Sequence, residues 1–174
     1  MKPFTRWMML GILLLAAGAD GFAQADPSGL FERARPVWAA DRDSEMNLIL
    51  GFRGGFDRPE ESSRATLKVA CSLYYRAWVN GTYVGHGPAR AGHGWFRVDG
   101  WDISDFVRPG RNVVAVEVNS PAVNGFGVMD QPGFLQAEVA CDGKVVLATG
   151  DEPTGFIARQ VTERVQRVQR YSFQ

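Results

Sequence analysis

From residue 65 onward, apolar and polar side chains alternate. In Thr66-Leu67-Lys68-Val69-Ala70-Cys71-Ser72, the residues Leu67, Val69 and Cys71 share one phase, and Thr66, Lys68 and Ser72 the other. A period of two is that of a strand with one buried face. It recurs from Asn112 to Asn119, where Val114, Val116 and Val118 oppose Glu117. It recurs again from Phe134 to Cys141, where Leu135, Ala137, Val139 and Cys141 oppose Gln136 and Glu138. Tyr74 to Val79 is aromatic and β-branched and runs into Asn80-Gly81. That pair suits the two positive φ angles of a type I′ hairpin turn, with Thr82 to Val84 as the returning strand. Trp95 to Val98, and Lys144 to Ala148 after the Asp142-Gly143 turn, read as further short strands. Several short strands with no convincing helix between them predict an all-β fold, an antiparallel β-sandwich.

The pattern is weaker on either side. Residues 26–64 read as an irregular lead-in, broken by Pro27, Pro36, Gly54-Gly55 and Pro59, with one or two strands such as Asn47 to Phe52. Residues 65–150 are the expected sandwich core. Long Gly/Pro-rich loops are expected over 85–94 and 120–133, and Asp99 to Val107 reads as a turn. Residues 151–174 are read as a tail or a link. There Val161, Val165 and Val168 fit a helical face, and the same stretch fits an extended chain. Arg159, Arg164, Arg167 and Arg170 read as a solvated face, since Glu163 and several Gln interrupt the charge. The last residues, Tyr171-Ser172-Phe173-Gln174, stop without a turn or polar tail, as expected of a chain cut from a longer one.

Residues 1–25 have the make-up of a secretory signal peptide. Lys2 and Arg6 precede the apolar run Trp7 to Ala17, and Ala23-Gln24-Ala25 offers a cleavage site. The run is shorter than the ~20 residues a spanning helix needs, which favours cleavage over a retained anchor. The expected location is periplasmic or secreted, with no membrane partner once the leader is removed. The 174 residues carry 19 Lys+Arg and 19 Asp+Glu and are 45% hydrophobic, which excludes a disordered tail and a basic nucleic-acid arm. No nucleic-acid partner is expected. Cys71 and Cys141 read as buried thiols acting as small hydrophobes, with a bridge as the alternative in an oxidising compartment.

Candidate chemistry is sparse. The sequence has no phosphate-cradling Gly loop, no G-x-S-x-G elbow and no H-E-x-x-H helix. His86 and His93 share one Gly-rich loop, and a metal would need a third ligand such as Asp99, so both are read as polar loop residues and no metal site is assigned. No cofactor is expected. Calcium stays open, because backbone carbonyls that hold it leave no residue signature; Asp99 and Asp130 are the candidate carboxylates. Glycosidase chemistry needs two carboxyls across a sugar. Asp99, Asp102, Asp105 and Glu117 are near one another in sequence, but turn spacing defines no cleft, so no catalytic residue is assigned. Sugar binding needs aromatic faces for C–H stacking, with amides and carboxylates for hydroxyls. Trp95, Trp101, Asn119, Asn124, Phe126 and Asp130, placed in loops, are the candidate carbohydrate contacts, while Trp78 and Phe96 are assigned to packing.

The stretch from Tyr75 to Pro88, with Val79-Asn80-Gly81, Val84 and Gly87-Pro88, resembles the Y-x-x-x-V-N-G-x-x-V-x-x-G-P hairpin of N-terminal accessory β-sandwich domains in bacterial α-L-rhamnosidase-like glycoside hydrolases. Asp102-Ile103-Ser104 and Pro109-Gly110-Arg111-Asn112-Val113-Val114-Ala115-Val116 look like the segment that follows in those domains. The resemblance covers roughly residues 36–174. It implies a galactose-binding-like jelly roll beside a catalytic (α/α)6 barrel that carries the acid and base. On this reading the chain is not catalytic by itself, its partners are that barrel and a carbohydrate, and the parent is an exported glycoside hydrolase. The alternatives are a free-standing lectin-like carbohydrate-binding module and a purely structural sandwich.

Overall fold

A computed structural model describes residues 30–89, 91–92, 95–125, 130–153 and 155–164. Residues 1–25, read as a leader, Phe126, His93 and most of the arginine-rich tail lie outside them. Among the described residues the structure is all-β, with two antiparallel sheets and a single short 3-10 turn at Ser104–Phe106. The strands are β1 (Leu48–Arg58), β2 (Ala65–Cys71), β3 (Tyr74–Val79), β4 (Thr82–Gly87), β5 (Asp99–Asp102), β6 (Gly110–Ser120), β7 (Leu135–Cys141), β8 (Lys144–Ala148) and β9 (Ile157–Gln160). One sheet has the order β4-β3-β6-β1-β9, the other β5-β2-β7-β8. The predicted alternation decides the inner faces. Leu48, Leu50, Phe52, Tyr75, Ala77, Val79, Val114, Val116 and Val118 of the first sheet meet Leu67, Val69, Leu135, Ala137, Val139 and Leu147 of the second in one core. Asn80 and Gly81 turn the β3–β4 hairpin with φ of 51° and 82°, the signs a type I′ turn requires.

The sheets reach beyond residues 65–150 on both sides. β1 pairs with β6 along its whole length, and β9 adds to the other edge of β1. Gly54-Gly55, expected to break the lead-in, lies inside β1. At Gly54 the reason is close approach: a Cβ there would sit 2.7 Å from a methyl of the buried Leu147. Of the stretch read as either helical or extended, Arg159 and Gln160 end strand β9, and Val165 and Val168 lie outside the described residues.

Trp95 to Val98 is not a strand. The strand begins at Asp99, in the segment expected to turn, because β2 offers it an edge: Leu67 lies opposite Trp101 and Val69 opposite Asp99. Cys71 and Cys141 are free and buried. They sit at opposite ends of the β2–β7 ladder, facing Leu135 and Ala65. Six residues of strand separate the two positions, about 20 Å, far beyond bridging distance. Burial pushes the Cys71 thiol up to about 12.

The lead-in is a strap across the outer face of the second sheet. Val37 and Leu135 exchange backbone hydrogen bonds of 2.8 and 2.9 Å, and Arg35 N–H donates to the Thr149 carbonyl at 2.9 Å. Phe31 and Ala34 pack there on Ala70, Ala140, Val145 and Ala148. Glu138, from the polar phase of β7, is only 1% exposed beneath the strap. Its carboxylate accepts from the backbone N–H of Glu32, Arg33 and Ala34 at 3.0–3.2 Å and from Lys68 at 3.2 Å. Burial alone would raise its pKa, but the amides of Arg33, Glu32 and Ala34, with Lys68, hold it below the usual glutamate range.

Candidate functional site

Two regions carry the exposed aromatic and polar chemistry. The first is a loop end. Phe96 meets Phe134 edge-on with ring centroids 4.7 Å apart, which brings the loop before β5 against the loop before β7. Trp95 stands next to this contact, 79% exposed, its N–H donating to the Gly92 carbonyl at 3.0 Å. In the other loop the Asn124 side-chain oxygen accepts from the Asp130 N–H at 3.0 Å, and Gln131 donates its amide to the Ser72 carbonyl. Both Asn124 and Asp130 are exposed. Of the sequence candidates, Asn124 and Asp130 are therefore in contact, and Trp95 adjoins Phe96, whose ring packs on Phe134.

Trp101 and Asn119 are elsewhere, in strands rather than loops. Trp101 belongs to β5 and points inward. Its indole N–H donates to the Tyr75 hydroxyl at 2.8 Å, and that hydroxyl donates to Asp99 at 2.7 Å. A Cβ on Gly85 would run into the Trp101 ring, so glycine there lets the ring bridge the two sheets. Burial, and next the Asp99 carboxylate, raise the Tyr75 pKa: the phenol is a fixed proton donor. Asn119 is in β6, opposite Ile49 and Tyr74.

The carboxylates do not converge. Asp99 faces the interior. Asp102, exposed, accepts from Ser104 N–H at 3.0 Å and its hydroxyl at 2.6 Å; the Ser104 hydroxyl, then its N–H, lowers the Asp102 pKa. Asp105 belongs to the 3-10 turn. Glu117 is on the outer face of the other sheet, between Arg76 at 3.8 Å and Arg164 at 3.5 Å. Among the described residues no group of three or more His, Cys, Asp and Glu stands where it could hold a metal ion. His86 instead shares a 2.9 Å hydrogen bond with Tyr83.

The second region is the outer face of the five-stranded sheet, which sequence reasoning passed over. Trp78, assigned to packing, is half-buried on that face, tilted against Tyr83 with centroids 5.8 Å apart. The signal was available: Tyr75, Ala77 and Val79 take the inner phase, so Trp78 falls on the outer one. Phe96, likewise assigned to packing, does pack on Phe134 but from an exposed loop.

Neither a protein-family model nor a curated protein matches the sequence. Solved structures do. The chain is similar to part of a GH78 family rhamnosidase of Bacillus sp. GL1, with 32% identity over 73% of this chain and a TM-score of 0.67. It spans 13% of that rhamnosidase's length. An α-L-rhamnosidase of Streptomyces avermitilis, solved with L-rhamnose, shares the fold at 18% identity and a TM-score of 0.55, over 74% of this chain and 12% of that one. The apo form of a lectin from Pleurotus ostreatus shares it at 18% identity and 0.51, over 74% of this chain and 35% of that one. The chain thus resembles a small domain of rhamnosidase-like proteins, as the Asn80-Gly81 hairpin and the Gly110 to Val116 segment indicate.

Proposed function

We propose that this chain is the non-catalytic β-sandwich module of an exported α-L-rhamnosidase-like glycoside hydrolase. In this reading it is a galactose-binding-like jelly roll, and a catalytic barrel elsewhere in the parent polypeptide is its partner. The single observation that carries the reading is the 32% identity with one 13% portion of the GH78 rhamnosidase. The dispersed carboxylates agree with it: Asp99, Asp102, Asp105 and Glu117 share no cleft in which acid and base could flank a glycosidic bond. The leader read from residues 1–25 supports export to the periplasm or beyond.

The test is direct. The purified chain, given aryl α-L-rhamnosides, is expected to release no aryl alcohol. Turnover that persists through purification and disappears on changing one Asp or Glu of this chain would overturn the reading.

A free-standing carbohydrate-binding module is the second reading, favoured by the exposure of Trp95 and of the hydrogen-bonded loop pair Asn124 and Asp130. It requires glycan affinity that Trp95→Ala removes; a flat response across a glycan array rejects it.

A further inference from the structure

The outer face of the five-stranded sheet holds an open depression of about 500 Å³, within the range of small-ligand sites. Its floor is small: Ala115 and Val113 of β6, with Gly81 at the hairpin turn. One wall is the Trp78 ring, steadied by Tyr83. The opposite wall is Arg53. The register sets this spacing, because Trp78, Ala115 and Arg53 lie side by side on β3, β6 and β1. Two strand spacings put the Trp78 and Arg53 backbones about 10 Å apart, with only a methyl group between them. Arg108 closes the end near the turn.

The charges around the depression differ from those in it. On the same face Arg76 and Arg164 share Glu117, and Arg111 faces Asp57 at 4.0 Å. Arg53 and Arg108 have no carboxylate within 4.0 Å among the described residues, and no acid lines the depression. Asn80 is not available to a ligand: its amide donates to Phe106 and Asn112, and its oxygen accepts from Val113. Arg108 donates its Nε–H to the Arg111 carbonyl at 3.5 Å and keeps its terminal N–H groups. What remains is a flat aromatic wall, the Arg53 guanidinium and the outer donors of Arg108. A stacked pyranose ring uses the wall, and a carboxylate accepting paired N–H bonds uses the guanidinium donors. The hydroxyls of a neutral sugar could accept single bonds from the guanidinium groups but would leave their charge uncompensated.

We infer that this depression is a binding site for a carboxylate-bearing pyranose, a uronic acid unit of an acidic glycan, stacked on Trp78 and held by Arg53 and Arg108. This goes beyond the module reading and does not depend on it: a parent protein that hydrolyses nothing leaves it intact.

The experiment is calorimetric titration of the chain at low salt with tetramers of galacturonate, glucuronate and mannuronate. Methyl-esterified tetragalacturonate and xylotetraose serve as neutral controls. Saturable binding of at least one uronide is expected, with a change in indole emission that Trp78→Ala removes. The ester and xylotetraose should bind about tenfold more weakly or not at all, and Arg53→Ala and Arg108→Ala should each weaken the uronide about tenfold. Added salt should weaken it further. All three side chains are at least partly exposed, so the variants should still fold and unfold cooperatively, and the melt reports on folding separately from binding. Absence of binding by every uronide up to about 10 mM, equal binding of the ester, or arginine variants that bind like the parent would overturn the inference.

Discussion

Glu138 and Glu117 occupy equivalent positions. Each stands mid-strand, in the outward phase, on an inner strand of its sheet. Glu138 is 1% exposed, fastened by three backbone N–H groups and Lys68. Glu117 keeps 17% of its side chain in solvent and meets its arginines only at 3.5 and 3.8 Å. The difference lies in what the chain puts above them. Residues 30–37 cross the four-stranded sheet and turn its outer face into a second core with Phe31, Ala34 and Val145. Residues 30–37 leave the five-stranded sheet's outer face to Trp78, Tyr83, Arg53 and the β9 residue Ile157, which is 70% exposed. One face is finished internally, and the other presents its aromatic and cationic groups to solvent.

The contrast can be broken from the covered side first. Glu138→Ala removes the acceptor shared by three backbone amides, that of Ala34 buried, and is expected to cost about 3 kcal/mol, read as a lower urea midpoint. Phe31→Ala thins the same cover and should cost about 2 kcal/mol, less than a central core residue because the strap can settle. The pH dependence sharpens the point. Because the folded pKa of Glu138 is depressed, its contribution is complete above the unfolded value of about 4.3 and is lost as pH falls through the folded value. Acid titration of stability should therefore slope downward below about pH 4, and Glu138→Gln should flatten that slope. A variant with an unchanged slope would show that the strap is held by packing alone. The smallest effect belongs to the open face: Trp78→Ala should change stability by no more than about 1 kcal/mol, measured by thermal melt.

These differences also mark where reading the sequence succeeds. β2, β6 and β7 were legible because alternation is local, and the Asn80-Gly81 turn because only a few residue pairs accept two positive φ angles. β5 was hidden because Asp99-Gly100-Trp101-Asp102 has turn-forming residues and becomes a strand only against β2, a partner distant in sequence. Trp101 was taken for a surface ring for the same reason. Period two tells which side chains share a face and is blind to what lies over that face. Glu138 and Trp78 both fall in the outward phase, and nothing local distinguishes the one that the strap buries from the one left open. Asn124 and Asp130 were chosen by residue type alone, which says nothing of their contact, and the depression was missed because its parts come from β1, the hairpin and β6.

The placement of β1 has a consequence during synthesis. Among the described residues it is the first strand made, yet both of its neighbours, β6 and β9, come from later in the chain. At a ribosomal pace of about 5–20 residues per second, Leu48 to Phe56 waits roughly three to twelve seconds for the end of β6 to arrive. Through that interval Leu-Ile-Leu-Gly-Phe is a naked, sticky ribbon with both edges unclaimed, so the nascent polypeptide is expected to need a holding chaperone.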